Sequence, residues 1–272
     1  MSASHDSPAT QVATAPFLPG VPTDERRAIV IGASSGMGAA VVRQLCAEGY
    51  SVGAIARRSD KLAELAAGCE QSVKATGGAI HVRTHDVSQI AEVPELFEEL
   101  VRELGGLDLV VFAAGIMPKV EPTEFDTEKD LAMLQVNLAG MIAWCNPVAN
   151  YFRLQRSGTL VGISSVAGDR GRRGAPVYGT TKAAMNTYFE SLRNRLSESG
   201  VHVLTIKPGF VDTQMTSGMD GLFWLISAEE AASQILKAAR SGAQVRYVPR
   251  QWWCMMTIIR CIPSFVFRKL NI

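Results

Sequence analysis

Tyr178 and Lys182 stand four positions apart in Tyr178-Gly179-Thr180-Thr181-Lys182. On a helix they fall one turn apart on the same face, where the ammonium can electrostatically favour the phenolate. A phenol with a normal pKa of about 10 is a poor base at neutral pH and needs such help to exchange a proton with an alcohol or a ketone. The pair alone is nonspecific, because a solvated helix face gives the same pattern. Its surroundings are more telling: Ser164-Ser165 follows an apolar β-like run, and Ser165 lies thirteen residues before Tyr178.

A second constellation follows the first β-like run. Gly32-Ala33-Ser34-Ser35-Gly36-Met37-Gly38 leads into an apolar helical run. Glycines let the backbone approach a pyrophosphate, and a helix amino terminus offers unpaired N–H groups and a positive dipole end. The end of the second run then discriminates between dinucleotides. An acid there would bond the ribose hydroxyls of NAD and repel a 2′-phosphate. The chain instead reads Ala56-Arg57-Arg58-Ser59, with no acid before Asp60. Arg57 and Arg58 can make charge-assisted bonds to a 2′-phosphate, so the expected cofactor is NADP(H).

Together with Asn137 and Pro208-Gly209-Phe210-Val211-Asp212-Thr213, these motifs resemble the short-chain dehydrogenase/reductase family over roughly residues 27–250. The resemblance implies a catalytic set of Asn137, Ser165, Tyr178 and Lys182. Tyr178 would protonate a carbonyl oxygen during reduction and act as base in reverse. Ser165 would hydrogen-bond that oxygen, with Ser164 structural. Lys182 would hold the nicotinamide ribose and tune Tyr178, and Asn137 would position a water linking Lys182 to solvent. The cofactor would lie against Gly32, Ser34, Ser35, Gly36, Met37, Gly38, Arg57, Arg58, Asp86, Val87, Ala114, Gly115, Tyr178, Lys182, Pro208, Gly209, Val211 and Thr213. Two departures are visible. Ile31 replaces the usual Thr before the first glycine, and Phe112-Ala113-Ala114-Gly115 replaces Asn-Asn-Ala-Gly. The missing amide at Ala113 bears on loop rigidity more than on chemistry.

The elements that must position these residues are readable from the pattern. β-like runs at 28–31, 51–56, 79–83, 109–113, 159–163, 201–207 and 245–248 alternate with helical patterns at 38–48, 61–76, 93–104, 130–153, 178–199 and 228–239. Alternation with short connections implies crossovers and a parallel sheet covered on both faces. The expected fold is α/β: a single doubly wound Rossmann-type domain over 24–250, with about seven parallel strands and ligands at their carboxyl ends. Residues 1–23 contain no Lys or Arg and carry four prolines, which predicts a flexible extension rather than a leader sequence.

The 272 residues hold 27 basic and 26 acidic side chains and are 47% hydrophobic. That excludes a disordered chain or a strongly basic nucleic-acid binder. Five cysteines without a C-x-x-C pair fit a reducing cytoplasm, and four scattered histidines give no metal-ligand spacing, so no metal is expected. The longest uninterrupted apolar stretches fall short of the roughly 18–20 residues that span a bilayer. Charge is unevenly placed, with seven basic residues and no acid after Glu230. The last segment, 251–272, interleaves Trp252, Trp253, Phe265 and Phe267 with Arg260, Arg268 and Lys269. It suits a helix at an anionic membrane surface, a substrate lid or a subunit contact. With Met219, Leu222, Phe223 and Trp224 it points to an apolar substrate. Between Ser165 and Tyr178, Arg170, Arg172 and Arg173 could receive an anionic head group or lie in a solvated loop.

The leading expectation is therefore an NADP(H)-dependent oxidoreductase interconverting a ketone and a secondary alcohol on a hydrophobic or lipid-like substrate. The alternatives are a 3-oxoacyl thioester reductase and a non-catalytic NADP-binding regulator. The family resemblance implies a homodimer or homotetramer using the helices around 130–153 and 178–199.

Overall fold

The computed structural model describes residues 26–121 and 123–270; the extension expected over 1–23 lies outside them. Seven strands form one sheet: β1 (Arg26–Ile31), β2 (Tyr50–Ala56), β3 (Ala79–Thr84), β4 (Leu109–Phe112), β5 (Thr159–Ile163), β6 (His202–Pro208) and β7 (Val245–Val248). Their order is β3-β2-β1-β4-β5-β6-β7, and every neighbouring pair is parallel. The order reverses between β1 and β4, which opens a crevice beyond their carboxyl ends.

The strands are apolar on both faces because helices cover both. In β1, Ala28 and Val30 face one core while Ile29 and Ile31 face the other, the period-2 alternation of a pleated strand. The first core is closed by α1 (Gly36–Ala47), α2 (Ser59–Thr76) and α7 (Ala228–Arg240). The second is closed by α3 (Val93–Leu104), α5 (Gly140–Gln155) and α6 (Pro176–Arg195). Its largest buried side chains include Trp144, Phe112, Phe152 and Phe189, each contributing roughly 1.5–3 kcal/mol by leaving water.

The helix expected over 130–153 starts earlier and is not uniform. Asp126 caps α4 (Thr127–Leu134) by accepting from the backbone N–H of Glu128 and Lys129. The backbone then widens into one π turn, Gln135–Ala139, before α5. From Thr127 to Gln155 the 29 residues include a window of mean hydropathy 1.3, of which 44% is buried. By length and composition this helix could cross a membrane, which the measure of uninterrupted apolar stretches missed. Here its apolar side, with Met141, Trp144, Val148 and Phe152, is the core of the second layer. Helix α6 stops at Arg195, short of the expected 199. A 3-10 turn follows at Ser197–Ser199, and Gly200 reverses the chain at φ +68°.

Residues 251–270 are packed on the domain. Helix α8 (Gln251–Cys261) and the short α9 (Ser264–Phe267) follow β7 directly. Trp252, Met256 and Ile259 bury a third apolar cluster with Val166 and Tyr247.

Candidate active site

The loops after β1, β3, β4, β5 and β6 converge at the crevice. Gly32 lies at φ +93°, where a Cβ would meet the backbone N of Ala114 at 2.5 Å. A Cβ at Gly38 would meet Gly32 O at 2.2 Å. Both positions exclude any side chain, so the turn after β1 is drawn tightly against the Ala114-Gly115 loop. The first turn of α1 has no acidic residue, and Ser35 at its N-cap makes no side-chain bond to it. In α4 and α7 those N–H groups are satisfied by Asp126 and Ser227. An uncapped helix amino terminus behind a glycine turn is what a pyrophosphate requires, so the residues fit a dinucleotide.

The two arginines after β2 have different roles. Arg57 Nη1 lies 3.5 Å from Asp86 Oδ2. Burial pushes the Asp86 carboxyl up, but hydrogen bonds from Ser88 and the Arg57 charge outweigh it and hold it below its ordinary value. Arg58 instead reaches over the glycine turn. Its Nη2 donates to Ser34 Oγ at 3.0 Å and Ser35 Oγ at 2.7 Å, and Nη1 donates to Gln214 Oε1 at 3.0 Å. Arg58 is thus held at the mouth of the turn by hydroxyls that a phosphate can displace. Gln214 carried no sequence signal for this contact.

On the other side, Pro176 opens α6 and places Tyr178 and Lys182 one turn apart, both buried. Tyr178 lies beside Ser165, whose Oγ accepts from Ala167 N at 3.1 Å. Lys182 Nζ donates to Ile163 O at 2.9 Å and sits 5.7 Å from the centre of the Tyr178 ring. Ser164 Oγ donates to Lys182 O at 3.1 Å, a structural tie as the resemblance implies. The electrostatics differ from the spacing argument. Burial pushes the Tyr178 phenol up, with the Ser165 bond acting in the opposite direction. The same burial pulls the Lys182 ammonium down to about 8. Desolvation is the larger influence on the phenol, so Tyr178 keeps its proton at neutral pH.

Asn137 is buried inside the π turn. Its Nδ2 donates to Ile116 O at 2.9 Å, and its Oδ1 accepts from Ile116 N at 2.7 Å. The amide therefore clamps the loop after β4, in which Gly115 passes close to Lys182. A Cβ at Gly115 would stand 3.7 Å from Lys182 Nζ. The Asn137 side chain also donates from Nδ2 to Thr181 Oγ1 at 3.4 Å, which ties this loop to α6. Val87, after β3, packs over Gly140, and Met37 is partly buried against the first core.

After β6, a Cβ at Gly209 would meet the Trp252 indole Nε1 at 1.8 Å. The glycine is demanded there by the carboxyl-terminal helix. Val211 is buried and bridged to Ile226, closing the segment between them as a loop, and Thr213 lies against Gly36. Met215, Met219, Phe223, Trp224 and Leu225 in that loop are exposed, and Phe223 stacks on Trp252 at 5.1 Å.

The three arginines between Ser165 and Tyr178 differ in their surroundings. Arg170 Nη1 donates to the carbonyls of Ile259 at 2.6 Å and Ile262 at 2.5 Å, and its guanidinium lies 4.0 Å from the Phe267 ring centre. Arg172 Nη2 lies 3.5 Å from Met256 Sδ, and burial lowers its pKa. Arg170 is thus occupied by the end of α8, whereas the buried Nε of Arg172 has no hydrogen-bond partner. Arg173 alone is exposed. Nearby, Asp169 joins Lys207 Nζ at 2.5 Å and Tyr247 Oη at 2.6 Å, tying the loop that carries Ser165 to the end of β6.

Comparison with known proteins agrees with this geometry. The family profile for short chain dehydrogenases matches residues 26–220. An uncharacterized oxidoreductase of Mycobacterium tuberculosis is 31% identical over 243 residues, covering 89% of this chain and 96% of the relative. One from Staphylococcus epidermidis is 31% identical over 222 residues, covering 81% and 94%. Among solved structures, a short-chain type dehydrogenase/reductase from Mycobacterium ulcerans superposes with a TM-score of 0.76 at 26% identity, over 84% of this chain and 90% of that one. The structure titled ElxO with NADP bound shares the fold, with a TM-score of 0.71 at 22% identity over 82% and 96%. These matches show that the chain is an oxidoreductase of the short-chain dehydrogenase/reductase family.

Proposed function

We propose that the protein is an NADPH-dependent reductase of hydrophobic ketones, acting on CH–OH donors with NADP in the reverse direction. The observation that carries this reading is the buried Tyr178 beside Ser165, one helical turn from the buried Lys182, whose Nζ lies 5.7 Å from the Tyr178 ring centre. A bound NADPH supplies the hydride. The chain's own residues do the rest: Ser165 hydrogen-bonds the carbonyl oxygen and Tyr178 Oη delivers a proton to it as the alcohol forms. Lys182 holds the ribose side of the site, and Asn137 positions it by fixing the loop at Ile116.

Preference for NADP(H) is supported by Arg58, whose partners are neutral hydroxyls and an amide rather than a carboxylate. An apolar substrate is supported by Phe210, Phe223, Trp224 and Trp252, which form one aromatic cluster beside Gly209. The thioester alternative loses the support of Arg170, which is occupied by the end of α8. We place the enzyme in the cytoplasm as a homodimer or homotetramer, as the family resemblance implies. The test is consumption of NADPH and NADH with steroid, retinoid, long-chain ketone and 3-oxoacyl thioester panels. Turnover of apolar ketones with NADPH is expected. Equal or faster turnover with NADH, or activity confined to thioesters, overturns the reading.

A further inference from the structure

Helix α8 is apolar on two sides, and only one is covered. Trp252, Met256 and Ile259, spaced i, i+4, i+7, are buried. On the solvent side, Cys254, Ile258 and Cys261 repeat the same spacing beside Trp253, and all four are exposed. Trp253 is 57% and Ile258 65% exposed, and Phe265 of α9 is 66% exposed. A surface helix ordinarily turns charged residues outward; α8 places a second apolar stripe there.

The charges carried by the segment itself are of one sign. Arg250, Arg260, Arg268 and Lys269 are all exposed, and no Asp or Glu follows Glu230. The segment between Val211 and Ile226 carries Asp212 and Asp220, and Glu230 of α7 lines a groove with Arg246 and Arg250, so the uniformly basic surface is that of α8 and α9, with Arg260, Arg268 and Lys269. Between β7 and α8, Arg246, Arg250 and Trp253 line a groove of about 550 Å³. The buried Nε of Arg246 makes no hydrogen bond. A second copy of the chain docked here about a two-fold axis would set these bases against themselves, which opposes association. An anionic lipid surface complements them, with aromatic and aliphatic side chains entering the headgroup boundary and bases meeting phosphates.

We propose that α8 and α9 form an interfacial platform that docks the protein peripherally on an anionic bilayer. The platform is joined to the active site by Trp252 on Gly209 and by Arg170 on the carbonyls of Ile259 and Ile262. Docking therefore occurs next to the two loops that flank Ser165 and Tyr178. It does not depend on the chemistry proposed above.

The test is co-sedimentation of the full chain with vesicles of phosphatidylcholine plus phosphatidylglycerol, and with vesicles of phosphatidylcholine alone. Two variants confined to exposed residues accompany it: Trp253→Ser/Ile258→Ser/Phe265→Ser and Arg260→Glu/Arg268→Glu/Lys269→Glu. The unmodified protein should sediment with anionic vesicles, much less with neutral ones, and less as salt is raised. Each triple variant should lose binding by at least about tenfold, while Tyr178→Phe should bind as the unmodified protein does. Failure of the unmodified protein to bind anionic vesicles at low salt overturns the proposal. So does equal binding to neutral vesicles, or a triple variant that binds normally. A solution dimer that the variants dissociate, with vesicles ignored, would assign the face to self-association and equally overturn it.

Discussion

Replacing Asp169 by Asn removes one charge and almost no volume. The Asp169 side chain is 2% exposed and its partner Lys207 is 11% exposed, with 2.5 Å between Oδ1 and Nζ. Tyr247 Oη, at 2.6 Å, donates to the other carboxylate oxygen. In Asp169→Asn the Tyr247 bond can be kept by the amide oxygen, but the Lys207 ammonium is left in a low-dielectric interior without a counter-charge. Breaking a buried pair in this way costs about 3–5 kcal/mol. For a chain of this size each kcal/mol moves Tm by about 2–4 °C, so a fall of roughly 6–20 °C is expected by calorimetry. The double variant Asp169→Leu/Lys207→Met removes both charges and should recover much of the loss. Activity should fall too, since Asp169 lies four residues beyond Ser165 and Lys207 directly precedes Pro208. A Tm within about 2 °C of the unmodified protein would refute the reasoning, because it would mean that the pair is solvated and contributes little.

Three further outcomes follow from the site. Arg58→Ala should raise KM for NADPH about 10- to 100-fold, the loss of one or two charge-assisted bonds, and leave NADH kinetics nearly unchanged; steady-state kinetics with both cofactors decide it. Because burial lowers Lys182 from 10.5 to about 8 in the cofactor-free chain, the unfolded state holds the extra proton between those values. Stability relative to Lys182→Met should therefore rise with pH across that window, by up to about 3 kcal/mol, and show no Lys182 contribution to the slope well below pH 8. Denaturant titrations near pH 7 and pH 9.5 check the sign. Gly209→Ala should destabilise by about 1–3 kcal/mol through overpacking on Trp252, and the same change in a Trp252→Ala background should be nearly neutral, as read by a thermal double-mutant cycle.

The sheet was legible because its signal is local. Apolar strands alternating with helical patterns announce a covered parallel sheet, and the glycine turn announces where the crevice lies. Tyr178, Lys182 and Ser165 were legible as a constellation and are brought together as expected. What local pattern does not carry is the partner of a buried polar group. Asp169 meets Lys207 across 38 positions, and Arg170 meets the end of α8 across about 90. Nothing in either neighbourhood marks the pairing. The π turn at Asn137 leaves no compositional trace, since its residues would also suit a regular helix. Burial is nonlocal in the same way: spacing gives the distance from Tyr178 to Lys182 but not the depth of burial that pushes the phenol up.

The most direct test of the central claim is Tyr178→Phe. The substitution deletes only the phenolic hydroxyl, and Lys182 retains its bond to Ile163. NADPH binding followed by fluorescence titration should remain within about twofold, and kcat for ketone reduction should fall by about 10²–10⁴, the contribution of a positioned general acid. Turnover within a few-fold of the unmodified protein, with binding intact, would contradict the assignment of Tyr178 as the proton donor.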